Sequence, residues 1–286
     1  MKYSFDIEIS SACNLSCINC AYNKSISKKQ FMTLENFINI QKHIEAQFPQ
    51  NRSISLIGLG EQTLHPQFSI IVDNLKSGIK KDLFISTNGT TLKELYNDLN
   101  KFDYVSVSVD AISSSVYNKV RPGFDFDRLV QSFSLLRPLK IKQSSFVINE
   151  DNAHEAKDFI AFSLDHGFNK IYFEIANSPW HQNHKDLKPL WLELQHFVKK
   201  QNLDHFVSFQ KPTSRICDYV STIIKIGVNG NIRICPFIDK EGAEFLAKSS
   251  VWIDAQNKFL LKQIELGKMK ECFTCNHLGL DSLKVD

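Results

Sequence analysis

Short apolar, β-rich runs alternate with longer amphipathic segments from the start of the chain to about residue 176. The runs are Tyr3–Ile9, Ser53–Ile57, Leu83–Ser86, Tyr104–Val109, Ile141–Ile148 and Lys170–Ile175. Between them the spacing predicts helices over Thr33–Phe48, Gln67–Ser77, Leu92–Leu99, Asp127–Leu136 and Asn152–His166. Thr33 is a natural N-cap with Glu35 in the first turn, and Gly167 follows the last segment where a C′ glycine belongs. Repeated strand-then-helix units predict a parallel sheet, because parallel strands need helical crossovers. Six such units are fewer than the eight of a closed TIM barrel. The expected fold is therefore α/β, a partial (β/α)6 TIM-like barrel, curved and partly open.

After residue 176 the pattern changes. Asn177-Ser178-Pro179-Trp180 opens a polar loop, residues 186–201 read as one more helix, and short strands and turns begin near 206. Ile223–Val228 and Asn231–Ile234 flank Asn229-Gly230, a hairpin signal. The expected boundary lies near 205–215, giving a barrel over 1–210 and a small C-terminal domain over 211–286.

A chain of 286 residues, 43 % hydrophobic, is long enough for a real core, and its 22 Phe are expected to help fill the barrel interior. No stretch approaches the roughly 18 to 20 apolar residues of a membrane span, and the N-terminus meets Asp6 too early for a secretory signal. The expectation is a cytoplasmic protein with no membrane partner. The net charge of +3, from 34 basic and 31 acidic residues, is too balanced to suggest nucleic acid.

Cysteine placement changes the picture most. Of the 7 cysteines, three fall within residues 13–20 and four after residue 216, with none between. An odd count argues against a pure disulfide framework, and this clustering reads as metal ligation. Cys13, Cys17 and Cys20 form C-x3-C-x2-C directly after the first strand. Three thiolates on one loop suit a cubane cluster whose fourth iron lacks a protein ligand. A zinc site or three buried thiols remain the alternatives on spacing alone.

With that motif the chain resembles the radical S-adenosylmethionine (SAM) superfamily. Further motifs follow at successive strand ends, the catalytic face of a parallel barrel. Gly58-Leu59-Gly60-Glu61 is similar to the family's Gly-Gly-Glu, Ser86-Thr87-Asn88-Gly89 to its Thr-Asn-Gly, and Ser108-Val109-Asp110 to its Ser-x-Asp. Tyr117 and Arg121 resemble a Tyr-x3-Arg segment. Two positions depart from the pattern: Leu59 replaces a glycine, and Asn19 stands where an aromatic residue is usual.

The resemblance implies a [4Fe–4S] cluster on the three cysteines, with SAM chelated to its open iron. Gly58, Gly60, Glu61, Ser86, Asn88, Ser108, Asp110 and Arg121 would contact SAM: glycines for close backbone approach, Glu61 for the methionine ammonium, Arg121 for the carboxylate. One electron, delivered by a reductant such as flavodoxin or ferredoxin, breaks the S–C5′ bond. The 5′-deoxyadenosyl radical then takes a hydrogen atom from the substrate.

At the C-terminus, Cys217, Gly230, Cys235 and the pair Cys272-x2-Cys275 resemble the SPASM/Twitch extension of the same superfamily. Four cysteines match the shorter Twitch form, implying a second, auxiliary [4Fe–4S] cluster on Cys217, Cys235, Cys272 and Cys275. A zinc ribbon is the alternative, although a ribbon shows two C-x2-C pairs and only one is present. Three plus four uses all 7 cysteines. None is left to donate a hydrogen atom, so an oxidative outcome is expected, with the auxiliary cluster accepting the electron.

In architecture the chain resembles the Twitch-type dehydrogenases of aminocyclitol antibiotic biosynthesis, which oxidise an alcohol. The second reading is a peptide-modifying, cross-link-forming SPASM-type enzyme of ribosomal peptide maturation. No N-terminal extension for peptide recognition is seen. The ending Leu283-Lys284-Val285-Asp286 differs from the Gly-Gly of molybdenum-cofactor synthases, which carry three C-terminal cysteines. Sulfatase-maturing enzymes need more cysteines. A non-catalytic Fe–S or zinc scaffold is the remote alternative. Trp180, His181, His184, Trp191 and Arg215 are read as surface or packing residues first, and His65 as starting a helix rather than acting as a base.

Overall fold

The computed structural model describes residues 3–20, 29–49, 53–77, 82–136, 139–176, 187–210, 222–235, 238–248, 253, 256–260 and 262, with the side chains of 234–243 left out. Its strands are β1 (Ser4–Ile7), β2 (Ser53–Leu56), β3 (Asp82–Thr87), β4 (Tyr104–Ser108), β5 (Ile141–Ile148), β6 (Lys170–Ile175), β7 (Val207–Phe209), β8 (Ile223–Ile226), β9 (Asn231–Cys235) and β10 (Ile238–Glu244). The helices are α1 (Leu34–Gln47), α2 (Phe68–Ser77), α3 (Leu92–Leu99), α4 (Ser114–Val120), α5 (Phe126–Ser132), α6 (Asp158–Asp165) and α7 (Lys188–Lys200).

All ten strands form one sheet in the order β10-β9-β8-β1-β2-β3-β4-β5-β6-β7. From β8 through β7 every neighbouring pair is parallel, and β9 and β10 add an antiparallel edge. The six expected strands are present. A seventh, β7, joins β6 after α7, and β8 pairs with β1 on its other side. The hairpin stands where Asn229-Gly230 placed it, with Gly230 at φ +84° and Lys225 paired with Arg233. Thus β8–β10 continue the barrel's own sheet.

Helix boundaries follow local chemistry. Thr33 Oγ1 accepts the Asn36 N–H and starts α1 as expected. The segment expected as one helix over 152–166 splits into a 3-10 turn at Ala153–Glu155 and α6. The reason is competition: Asn152 and Glu155 spend their side chains on the loop after β4.

The core sits between the sheet and its helices. Phe5, Ile7, Ile54, Leu56, Ile85, Val107, Phe146 and Phe173 point outward from their strands and are buried. Phe146 meets Phe159 of α6 at 4.7 Å between ring centroids, and Phe5 meets Phe48 at 5.1 Å. The alternate strand positions face inward and are mostly polar: Asp6, Ser86, Ser106, Ser108, Gln143, Ser145, Tyr172 and Glu174 share register rows. This corrects the expectation for the phenylalanines. They pack the outer layer, and the interior is lined by hydroxyls, amides and carboxylates, with Phe84 against Tyr104 as an exception. Among the described residues no helix is long and apolar enough to cross a membrane.

Candidate active site

The loop after β1 carries Cys13, Cys17 and Cys20, all partly buried. It is held by backbone bonds from Ser16 N–H to Pro122 O (3.1 Å) and from Ile18 N–H to Val120 O (3.1 Å). The end of α4 therefore fixes the cysteine loop. The three thiols open into one cavity of about 240 Å³ at the C-terminal ends of the parallel strands. Gly58, Gly60, Glu61, Ser86 and Asn88 line it from β2 and β3, and Ser108, Asp110 and Arg121 from β4 and α4. The three cysteines and the eight residues that the resemblance sets against SAM thus meet in one place, while Tyr117 and Gly89 do not line it. Asn19 lines the same wall, and Ile57, Val147 and Asn149 complete it.

Burial pushes the Cys17 thiol up to about 11 and raises Cys13 as well. Thiolates here need a cationic partner, and a coordinating metal centre deprotonates thiols outright. Among the described residues no group of three His, Cys, Asp or Glu is placed to hold a single metal ion. Three thiolates on one loop can each hold a separate iron of a cubane. The donor set fits a [4Fe–4S] cluster.

A Cβ on Gly58 would lie 2.4 Å from Glu8 Cγ, and one on Gly60 2.4 Å from Ser10 O. Their missing side chains let the loop press onto the exit of β1 while both residues line the cavity. Glu61 Oε1 accepts the hydroxyls of Thr63 (2.6 Å) and Thr87 (2.7 Å), and its Oε2 accepts the Asn88 N–H at 2.6 Å. The carboxylate ties β2 to the end of β3.

Asp110 and Arg121 form a buried pair at 2.5 Å. Asp110 adopts φ 60°, and its Oδ1 accepts the Val147 N–H at 2.6 Å. Asn152 holds the strained turn by donating to the carbonyls of Asp110 and Val147, both at 2.9 Å. Ser113, not Asp110, caps α4. Arg121 turns one edge to Asp110, while its Nε has no hydrogen-bond partner among the described residues.

Several residues matter that motif reading passed over. Gln62, fully buried, accepts the N–H groups of Ile9 and Ser10 and donates to the carbonyls of Ser10 and Gly60. Asn14 accepts from Asn88 Nδ2 at 2.9 Å and donates to Thr90 Oγ1 at 2.9 Å, next to Cys13. Glu174, in register with Val147, is pushed up to about 7 by burial and by the Asp110 carboxylate. His65 is buried, with Nε2 against Met32 O and Nδ1 accepting the Gln67 N–H before α2, so it does start a helix. Trp191 packs on Phe209 at 5.1 Å. Cys235 ends β9; Cys217, Cys272, Cys275, Arg215, Trp180, His181 and His184 lie outside the described residues.

A parallel half-barrel whose strand ends gather three thiols around a polar cavity defines a cofactor-dependent enzyme of the (β/α) type. The chain belongs to the radical SAM superfamily, whose model matches residues 7–163. The cofactors of that family are SAM and a [4Fe–4S] cluster.

Among curated proteins the chain is 30 % identical over 173 residues to a probable GTP 3′,8-cyclase of Saccharolobus solfataricus, covering 58 % of this chain and 54 % of that one. It is 28 % identical over 172 residues to the protein of the same name from Methanocaldococcus jannaschii, covering 57 % and 56 %. The chain spans about half the length of these curated relatives. Among solved structures, SuiB of Streptococcus suis bound to S-adenosylmethionine superposes with a TM-score of 0.74 at 15 % identity, over 98 % of this chain and 72 % of that one. The anSMEcpe structure with bound AdoMet gives 0.73 at 19 %, over 97 % and 88 %. At these identities the likeness is one of fold.

Proposed function

We infer that this enzyme cleaves SAM reductively at the Cys13/Cys17/Cys20 cavity and uses the radical for a net oxidation, the dehydrogenation of a small-molecule alcohol. The observation that carries the reading is the convergence of the three thiols with Ser86, Asn88, Ser108, Asp110 and Arg121 on one cavity. When bound, cluster and SAM supply a 5′-deoxyadenosyl radical. Cys13, Cys17 and Cys20 hold the cluster. Arg121, on the cavity wall, offers its guanidinium to a carboxylate, and Ser86 and Ser108 offer hydroxyls to the nucleoside. Asn88 and Asn14 set the polar wall beside Cys13, and Val120 and Val147 narrow access for water.

The oxidative half of the reading rests on the cysteine count. All 7 are taken if Cys217, Cys235, Cys272 and Cys275 hold an auxiliary [4Fe–4S] cluster as electron acceptor. The test is iron, sulfide and zinc per chain after anaerobic reconstitution. About eight irons with matching sulfide supports two clusters. About four irons with one zinc makes the C-terminal region a ribbon and removes the acceptor. Incubation with SAM and dithionite should then release 5′-deoxyadenosine, and Cys17→Ala should release none.

A peptide-modifying role is the second reading. In its favour, two of the similar folds that cover nearly the whole chain were also solved with peptides, SuiB with precursor peptide SuiA and anSMEcpe with Cp18Cys peptide.

A further inference from the structure

Two ion pairs fasten the C-terminal strands to β1. The lower one joins Asp6 to Lys225 at 2.7 Å across the β1–β8 register. The upper one joins Glu8, just past β1, to Arg233 of β9, with Nη2 and Oε2 3.3 Å apart. The upper pair is poorly satisfied. Glu8's side chain is 3 % exposed, and among the described residues neither its Oε2 nor Arg233 Nε has a hydrogen-bond partner. Burial raises the Glu8 carboxyl, more than Arg233 and the N–H groups of Leu59, Gly60 and Val228 pull it down. Such a pair costs stability relative to apolar packing, and local rules are broken most often where a site needs it.

What Glu8 does with its other oxygen supplies the need. Oε1 accepts the N–H of Leu59 at 2.6 Å and of Gly60 at 3.3 Å. Both residues line the active-site cavity. Two glycines leave the room. A Cβ on Gly58 would strike Glu8 Cγ at 2.4 Å, and one on Gly227 would come within 3.0 Å of Arg233 Nε.

The geometry points to Glu8 and Arg233 as positioning residues for SAM: the pair clamps the Gly58–Gly60 backbone against β1 and so shapes the cavity wall. Arg233 aims the carboxylate from β9, and the carboxylate pins the two peptide N–H groups. The C-terminal strands thereby reach the cofactor site without touching the cofactor. This inference rests on the reading that the cavity holds SAM.

The test is the dissociation constant of radiolabelled SAM by equilibrium dialysis against the reconstituted full-length protein. Glu8→Gln and Arg233→Gln are each expected to weaken binding about tenfold or more with iron content unchanged, as for residues that orient a ligand shell. Glu8→Asp keeps the charge but cannot span both Arg233 and the loop, and should lose as much. It decides the matter if Glu8→Gln does not fold. Asp6→Asn breaks the neighbouring pair and should stay within about twofold. Equal losses in Asp6→Asn, or none in the Glu8 variants, would overturn the proposal. Ser108→Trp fills the cavity. If it still binds SAM, the cavity reading falls and the proposal with it. If it abolishes binding while the Glu8 and Arg233 variants bind normally, only the positioning role falls.

Discussion

The two faces of the sheet use the same strands for opposite ends. On the outer face, Phe5, Leu83, Ile85, Phe146 and Phe173 bury completely under the helices, and ring-to-ring contacts fill the layer. On the inner face, the residues between them carry hydroxyls, amides and charges: Tyr104 bonds Gln143, which donates to Ser106 at 2.9 Å, and Asp6 meets Lys225. Parallel sheets covered on both faces read as continuous apolar runs. Here alternation within parallel strands marks a sheet with stability on one side and mostly polar chemistry on the other.

The largest test of that division is Phe146→Ala. Truncating a fully buried ring that touches Phe159 and Phe173 should cost about 3–5 kcal/mol in guanidinium unfolding. A loss under about 1 kcal/mol would show that the outer layer is not the core. Next comes the mouth of the inner face. Arg121→Met leaves the Asp110 carboxylate buried without its cation and should cost about 3 kcal/mol, together with SAM binding.

Glu174 sharpens the comparison through pH. Asp110 and Tyr172 are the titratable groups coupled to it, and its carboxyl is held up at about 7 against an ordinary 4.5. Between those values the native chain keeps a proton that the unfolded chain has released. Its stabilising contribution is therefore full below pH 4.5 and lost as pH rises through 7. Relative to wild type, Glu174→Gln should gain on the order of 1–3 kcal/mol on going from pH 5 to 8. Parallel pH–stability curves for the two proteins would sink the assignment. The smallest effect belongs to Ser145→Ala, whose hydroxyl only reaches Ser108 at 3.5 Å: within about 0.5 kcal/mol by the same unfolding assay.

Much of this was legible beforehand. Runs of β-branched and aromatic residues marked β1–β6, and the Asn229-Gly230 turn marked the hairpin, because both signals are local. β7 falls where short strands were expected from about 206, but three residues carry no period that would fix its bounds. The polar lining was visible in Ser106 and Ser108 and in Gln143 and Ser145, yet a barrel interior was expected to be apolar. Cys13, Cys17, Cys20 and the strand-end motifs announced the cavity. Gln62, Asn14 and Asn152 did not, since an amide's partners are fixed by distant chain segments. Position was the only available signal: Asn14 follows a cysteine and Gln62 follows Glu61.

The placement of β1 between β2 and β8 has a consequence for how the chain is made. Asp6 and Lys225 are 219 residues apart. At ribosomal rates of about 5–20 residues per second, roughly 10 to 45 seconds separate their synthesis. Throughout that interval one side of β1 is an open template beside three nascent thiols. Closure of the sheet around β1 is thus a late step in the making of the chain, set by its slowest long-range pairing.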